Sequence, residues 1–244
     1  MSARDRRPPE APPRPPLDQL RVAVNERDGH RVVEVVRTHG PSLCLQMAGD
    51  GLLVAVAQGV EGAAALAATT AEALRRRGLE GDVPLAEAIE AALGTGPVPL
   101  RAPVPVDLGE LVFAMDMDPT MGDGWLHRRT GELRYRQDEA VTGEPEDEIP
   151  EDDEDWIWLE PRDSHDAWKD MATFAESLED EAFGSRLLRA IDGRGAFRCF
   201  KDALLDRPDV RERWFAWSED RSLARARAFL AENGLEPTLT LHCR

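Results

Sequence analysis

The chain has 244 residues, of which 42% are hydrophobic and 32% are charged, and its formal net charge is −17. This balance is typical of a soluble globular protein rather than a disordered one, and the length suits one large domain or two small ones. Because the sequence contains no run of 18 apolar residues, it predicts no transmembrane helix. The strong negative charge disfavours a general nucleic-acid binder, since phosphate groups would be repelled.

The first 94 residues predict a tail followed by a helical unit. Residues 1–16 contain six prolines and predict a disordered, partly polyproline tail, because proline continues neither a helix nor a strand ladder. Residues 17–94 predict three to five short, closely packed helices. One of them is expected to begin at Asp82, a candidate N-cap with Pro84 in the first turn. The valines within residues 32–36 fit either a strand or a helix.

A boundary between two packing units is expected after this helical segment. Every aromatic residue lies at or beyond Phe113, and one continuous core would rarely confine its bulkiest side chains to one half of the chain. Residues 95–105 carry four prolines, which predicts a stiff, extended linker. The second unit then spans residues 106–236, with a tail over residues 237–244.

Three strands are expected in the second unit. Residues 125–128 and 133–136 predict a β-hairpin whose turn contains Thr130 and Gly131, since glycine adopts positive φ without strain. Residues 156–159 are apolar on both faces, which predicts a third strand that is central or covered.

An acidic segment lies between the hairpin and the third strand. Residues 138–160 hold twelve acids and no base, and residues 138–155 therefore predict a mobile, solvated loop. Cation binding or mimicry of nucleic acid is the alternative interpretation.

The remainder of the second unit predicts helices. Phe197 is expected on a buried helix face, and Trp214 and Trp217 recur at helical spacing and are expected in the core. Ser222 predicts the cap of a separate last helix. The predicted fold class is therefore α+β, with a small helical N-terminal unit followed by a small antiparallel sheet covered by helices.

Several segments of the second unit carry a resemblance to a known family. In chain order they are residues 126–132, 158–161, 171–174, 190–202, 213–217 and 229–234. They resemble the UPF0158 family of uncharacterised bacterial proteins over residues 106–236. The resemblance implies a bacterial, cytoplasmic setting and no particular reaction. The family tends to carry acids where this chain has His127 and Arg129, so the resemblance implies no catalytic carboxylate in this hairpin.

Five residues are candidate binding residues. Arg194, Arg198 and Lys201 follow helical spacing and are expected on one helix face, where they would recognise an anion or a partner together with Arg213. Phe215 lies beside Arg213, and aromatic residues next to arginine are enriched in binding surfaces. The alternatives are a solvated basic face paired with nearby acids and a buried role for Phe215.

The sequence predicts no catalytic, metal or cofactor site. Its five histidines lack metal-ligand spacing, and it contains neither a nucleophile elbow nor a phosphate-binding glycine loop. The cysteines Cys44, Cys199 and Cys243 are odd in number and far apart, which fits a reducing cytoplasm. Cys199, next to Arg198, is expected to be a small buried residue, with a reactive thiolate as the alternative.

These patterns favour a non-catalytic interaction or regulatory protein of the cytoplasm. The expected partner is a macromolecule, more readily a protein than a nucleic acid, and no membrane association is expected. One alternative is an enzyme of hydrolase type whose carboxylates converge only in three dimensions. Another is association with nucleic acid through the basic helix, which would weaken steeply with salt.

Overall fold

The computed structural model describes residues 15–117, 123–136, 153–162 and 164–238. Within these ranges helices dominate and two small sheets are present, so the predicted α+β class is confirmed. The predicted tail up to residue 14, the acidic segment 138–152 and the end of the predicted C-terminal tail lie outside the described residues.

The N-terminal segment is entirely helical. Its elements are α1 (Pro16–Asn25), α2 (Gly29–His39), a 3-10 turn (Pro41–Leu43), α3 (Leu45–Ala57), α4 (Ala63–Arg77) and α5 (Asp82–Ala92). The ambiguous valines 32–36 lie in α2, where the side chain of Asp28 caps the helix by accepting the backbone N–H of Arg31 at 3.1 Å. Four of these valines are buried, and a cap next to an apolar stripe stabilises a helix here.

Small residues let these helices approach closely. A Cβ added at Gly49 in α3 would lie 2.6 Å from Leu85 of α5, and one added at Gly51 would lie 2.8 Å from Val32 of α2. Ala67 and Ala71 of α4 are buried in the same cluster. The core of this segment is therefore built from short aliphatic side chains, which agrees with its lack of aromatic residues.

The predicted N-cap role of Asp82 is wrong. Helix α5 begins at Asp82 itself, and the preceding Gly81 takes a left-handed conformation with a φ of 78°. The Asp82 side chain is fully buried and accepts hydrogen bonds from Gln46 and Arg77 and from the backbone N–H of Leu79. A carboxylate engaged in this way is not available to cap its own helix.

The second part of the chain mixes strands and helices. Its elements are β1 (Ala102–Val104), α6 (Leu108–Met115), β2 (Asp123–His127), β3 (Leu133–Arg136), β4 (Trp156–Leu159), α7 (Ser164–Glu176), α8 (Glu181–Ala190), α9 (Ala196–Leu204), α10 (Pro208–Glu232) and β5 (Leu235–Pro237). Strand β1 lies within the segment 95–105 and pairs in parallel with β5, with Ala102 opposite Leu235. The two ends of this part of the chain are thus hydrogen-bonded to each other.

The hairpin forms as predicted. Gly131 has a φ of 71°, and its N–H bonds the carbonyl of His127 at 2.9 Å. The ring Nδ1 of His127 accepts the backbone N–H groups of Arg129 and Thr130 at 3.3 and 3.2 Å. His127 therefore supplies the acceptor that organises the turn, a role that a short acidic side chain also fills.

The prediction for the third strand is only partly correct. Strand β4 exists, but the order of the sheet is β3-β2-β4, so the central strand is β2 and β4 lies at an edge of the described sheet. Leu159 is buried, whereas Trp158 is 48% exposed. An apolar run at an edge gives the same sequence pattern as a central strand, because the pattern does not contain the strand order.

The predicted break at Ser222 is wrong. Residues 208–232 form one 25-residue helix, α10, and the segment around Ser222 contains no glycine or proline that would end it. Phe197 is also misplaced by the sequence, since it is 44% exposed while Phe200 is fully buried. Trp214 packs against Phe200 with ring centroids 4.8 Å apart, as expected for a core residue.

Helix α10 contacts all three apolar clusters of the described structure. Its first turns bring Val210 and Trp214 to a cluster with α7, α8 and α9. Its middle places Leu223 against the N-terminal helices. Its last turns add Ala226 and Leu230 to the cluster under the sheet.

The loop before α5 gives a test of how tightly α10 packs on the N-terminal helices. A Cβ at Gly81 would lie 1.9 Å from the carbonyl oxygen of Ala224 in α10. We expect Gly81→Ala to lower the free energy of unfolding by about 3 kcal/mol or more, from left-handed strain and overpacking together. Gly59→Ala is the matched control, because Gly59 has a φ of 68° and no atom lies within 4 Å of its added Cβ.

Urea denaturation followed by circular dichroism measures both variants. The control should lose only about 1 kcal/mol, the cost of the left-handed backbone. Equal losses in the two variants would show that the contact between Gly81 and α10 is not tight.

Candidate functional site

A groove of about 1110 Å³ lies between α1, the 3-10 turn and the first half of α10. Its apolar lining is Leu17, Leu43, Val112, Phe174, Phe215, Trp217 and Leu223. Charged side chains at its edge and floor are Asp18, Arg21, Arg77, Asp209, Glu212, Arg213, Glu219 and Asp220. The groove is formed where helices of the N-terminal segment meet α6, α7 and α10.

Two of the five predicted binding residues line this groove. Arg213 and Phe215 project from the second and third turns of α10. Phe215 is 57% exposed, so the interpretation of Phe215 as a buried residue is wrong. Among the described residues Arg213 and its neighbour Glu212 have no ion-pair partner, and both are exposed.

The other three predicted residues lie elsewhere. Arg194 sits in the turn before α9, and Arg198 and Lys201 lie on α9 itself. All three are exposed, and the pair of Arg198 with Asp202 is loose at 3.8 Å. None of them lines the groove, so the structure divides the predicted set between two surfaces.

Ion pairs fix several of the charges at the edge of the groove. The guanidinium of Arg21 on α1 binds Glu219 of α10 at 2.6 and 3.1 Å and Asp18 at 2.5 Å. Hydrogen bonds from Arg207 lower the pKa of Asp209 to about 2. Asp209 therefore stays ionised at neutral pH. Acidic side chains outnumber basic ones at the edge of the groove.

Buried ionic groups form the floor. The guanidinium of Arg77 on α4 binds Asp220 of α10 and also binds Asp82 at 2.6 and 2.9 Å. Asp220 further accepts the backbone N–H of Gln46 at 2.7 Å and lies 3.6 Å from the sulfur of Cys44. Because the Asp220 carboxylate accepts hydrogen bonds from several donors, its burial does not leave an unpaired charge.

The same network continues along α10. Arg227, which is 3% exposed, donates to the side chain of Gln46 at 3.0 Å and to Asp50 at 2.5 Å. Burial raises the pKa of Asp50, and the positive charge of Arg227 opposes that rise. Hydrogen bonds and ion pairs thus join polar groups of α3, α4 and α5 to Asp220 and Arg227 of α10, which are seven residues apart.

Burial also determines the protonation state of the Cys44 thiol. Desolvation, aided by the nearby Asp220 carboxylate, raises the pKa of the Cys44 thiol well above its usual range. Cys199 has the opposite environment, since it is exposed on α9. The expectation that Cys199 is a buried residue is wrong, because the buried face of α9 carries Phe200, Ala203 and Leu204 instead.

Sequence reasoning missed the residues of the floor. Neither Arg77 nor Asp220 is among the candidate residues that the sequence indicates. A usable signal existed: Ala216, Asp220 and Ala224 follow a spacing of four on α10, which places an acid among buried alanines. A charged residue on an apolar helix face predicts a buried partner.

Similarity to known proteins covers the second part of the chain. The model of an uncharacterised protein family, UPF0158, matches residues 103–241. The chain belongs to this family. A relative from Pseudomonas aeruginosa, UPF0158 protein PA5073, is 25% identical over 136 residues, which are 55% of this chain and 87% of the relative. No solved structure shows a significant match.

The family match begins within β1, so helices α1 to α5 precede the matched segment. The groove therefore combines family residues of α10, including Arg213 and Phe215, with residues from outside the matched range, such as Leu17 and Leu43. Within the described ranges no helix is long and apolar enough to cross a bilayer. The described residues also contain no cluster of three or more side chains suited to hold a metal.

Cys44 and Cys199 give a test of the burial described above. At pH 8 a thiol-modifying reagent such as iodoacetamide should label Cys199 in the folded protein and leave Cys44 unlabelled, because Cys44 is both inaccessible and protonated. Peptide mapping by mass spectrometry measures each site separately. In urea both cysteines should react, and labelling of Cys44 under native conditions would contradict the packing of α3 on α10.

The Arg77–Asp220 pair gives a second test. We expect Asp220→Asn to lower the free energy of unfolding by about 2 to 4 kcal/mol, because a buried arginine loses one of its two counter-charges. Asp206→Asn is the control, since it removes an exposed ion pair with Arg186 and should cost about 1 kcal/mol or less. Urea denaturation measures both, and similar small losses would show that the buried network contributes little.

Proposed function

We propose that this protein is a non-catalytic interaction module of the bacterial cytoplasm and that it binds a protein partner in the groove. The observation that carries the proposal is Phe215, a large apolar side chain that is 57% exposed at the edge of an apolar groove. Exposed aromatic residues beside apolar grooves are typical anchors of protein interfaces.

The chemistry of the groove supports a protein partner. Its lining offers aromatic and aliphatic side chains, among them Phe174, Trp217 and Leu223. At its edge the two unpaired charges, Glu212 and Arg213, are available to a partner of either sign. An apolar centre with a charged, solvated border is the usual composition of a protein interface.

A nucleic-acid partner is less well supported. Acids outnumber bases around the groove, and Arg21 and Arg77 are already bound to carboxylates of the protein. The basic residues of α9 are exposed, and the carboxylate of Asp202 lies 3.8 Å from Arg198. Phosphate backbones bind where several unpaired cations converge, and the groove does not offer this.

The carboxylates of the groove also favour binding over acid–base catalysis. Asp18, Glu219 and Asp220 each accept hydrogen bonds from arginine, and hydrogen bonds from Arg207 lower the pKa of Asp209 to about 2. General acid catalysis needs a carboxyl group that holds a proton near neutral pH. The hydrolase alternative therefore finds no support in these side chains.

Site-specific crosslinking tests this proposal. A photo-reactive amino acid at position 215 should crosslink to a protein in cells of the source bacterium, whereas the same probe at Phe113, which is 69% exposed and outside the groove, should not. With the captured protein purified, Phe215→Ala should weaken binding by about tenfold or more, as expected for an aromatic anchor. Phe113→Ala is the matched control and should leave binding unchanged.

Two results would contradict the proposal. One is equal crosslinking from positions 215 and 113. The other is binding of nucleic acid that survives Phe215→Ala, is lost in the double variant Arg194→Glu, Arg198→Glu and falls steeply with salt.

A further inference from the structure

A second charged cluster, around Asp170 of α7, shares no charged residue with the groove. Its carboxylate accepts hydrogen bonds from Arg162 and Arg225, both at 2.7 Å, and from Arg221 at 3.5 Å. Arg162 follows β4 in the chain, and the other two arginines lie one turn apart on α10. Three guanidinium groups from two different segments thus converge on one carboxylate.

Within the ranges that the structure describes, Asp170 is the one acid that lies close to all three arginines. Asp116, 3.8 Å from Arg162, and Glu80, 3.7 Å from Arg221, are more distant and more exposed. Burial, and next to it the charge of Arg225, lower the pKa of Arg162. The opposing charges of Asp170, Asp116 and Asp166 do not cancel this lowering.

Two donors of the cluster are unused. Arg162 Nε and Arg221 Nη1 are buried and have no hydrogen-bond partner in the described part of the chain. A buried donor without an acceptor destabilises a folded protein. The side chains of the three arginines are nevertheless 12 to 21% exposed, so the cluster reaches the surface.

We propose that Arg162, Arg221 and Arg225 form a binding site for a phosphate group, either free phosphate or a small phosphomonoester. The fork of N–H groups on arginine matches the oxygens of phosphate, and these oxygens are the kind of acceptor that the unused donors lack. When no phosphate is bound, Asp170 holds the three guanidinium groups together. This site is independent of the groove and of the partner proposed for it.

Binding would involve the loop between α4 and α5. Glu80 of that loop is half-exposed and only loosely paired with Arg221. A phosphate on Arg221 takes the place of this carboxylate, because a dianion accepts more hydrogen bonds from the guanidinium than a distant carboxylate does. Glu80 is therefore a competitor, and its removal should strengthen binding.

Isothermal titration calorimetry at constant ionic strength tests the site on the full chain. Inorganic phosphate and phenyl phosphate are the two probes, and acetate is the comparison anion. We expect binding of phosphate at one site, with phenyl phosphate the tighter ligand if the natural ligand is a phosphomonoester and the weaker one if it is free phosphate. Equal binding of acetate, or no heat from either phosphate, would overturn the proposal.

Three variants localise the site. Arg221→Gln should weaken phosphate binding by about tenfold or more, since it removes a charge-assisted contact. Arg198→Gln on α9 is the matched control and should leave the affinity unchanged, whereas an equal loss there would show diffuse attraction by charge. Glu80→Gln, an exposed change that leaves the core intact, should tighten binding by about threefold; an unchanged or weaker affinity overturns the site even if Arg221→Gln does not fold.

Discussion

The buried ion pairs on α10 are the constraint on which the described structure depends. Asp220 and Arg227 lie two turns apart on this helix and bind Arg77 and Asp50 of the N-terminal helices. Charges taken out of water are costly unless each meets a partner. A shift of α10 by one turn would leave both of its charges unpaired, whereas apolar contacts alone tolerate such shifts. The network therefore sets the register of α10 against α3, α4 and α5.

This register places two further surfaces. With Asp220 fixed in the floor, the preceding turns of α10 bring Phe215 and Trp217 to the groove. Arg221, the residue after Asp220, points to another side of the helix and contacts Asp170 on α7. One helix thus presents an apolar groove on one side and a cluster of arginines on another, and both depend on how it docks on helices that precede the family segment. The family residues of the groove have neighbours there that the family match does not include.

Local patterns predicted the elements where the cause was local. The hairpin turn followed from Gly131, which takes the left-handed conformation. Resemblance to UPF0158 located the second part of the chain, which the family match confirms. Local patterns failed where a contact between residues far apart in the chain determined the local structure. The Asp82 side chain accepts hydrogen bonds from Arg77 and Gln46 instead of capping its own helix. Strand β4 lies at an edge because β2 pairs with both other strands.

The candidate site shows the same division. By itself the sequence determined that Arg213 and Phe215 share a helix and that an aromatic residue stands beside an arginine, because both follow from spacing along the chain. Only the tertiary structure decided that these two residues border a groove while Arg198 and Lys201 lie outside it. It alone also brought Arg162 to Arg221 and Arg225, residues about sixty positions apart in the chain. The physical reason is that spacing fixes the face of one helix, whereas a site needs the neighbours of that face, which are set by packing and by the pairing of buried charges.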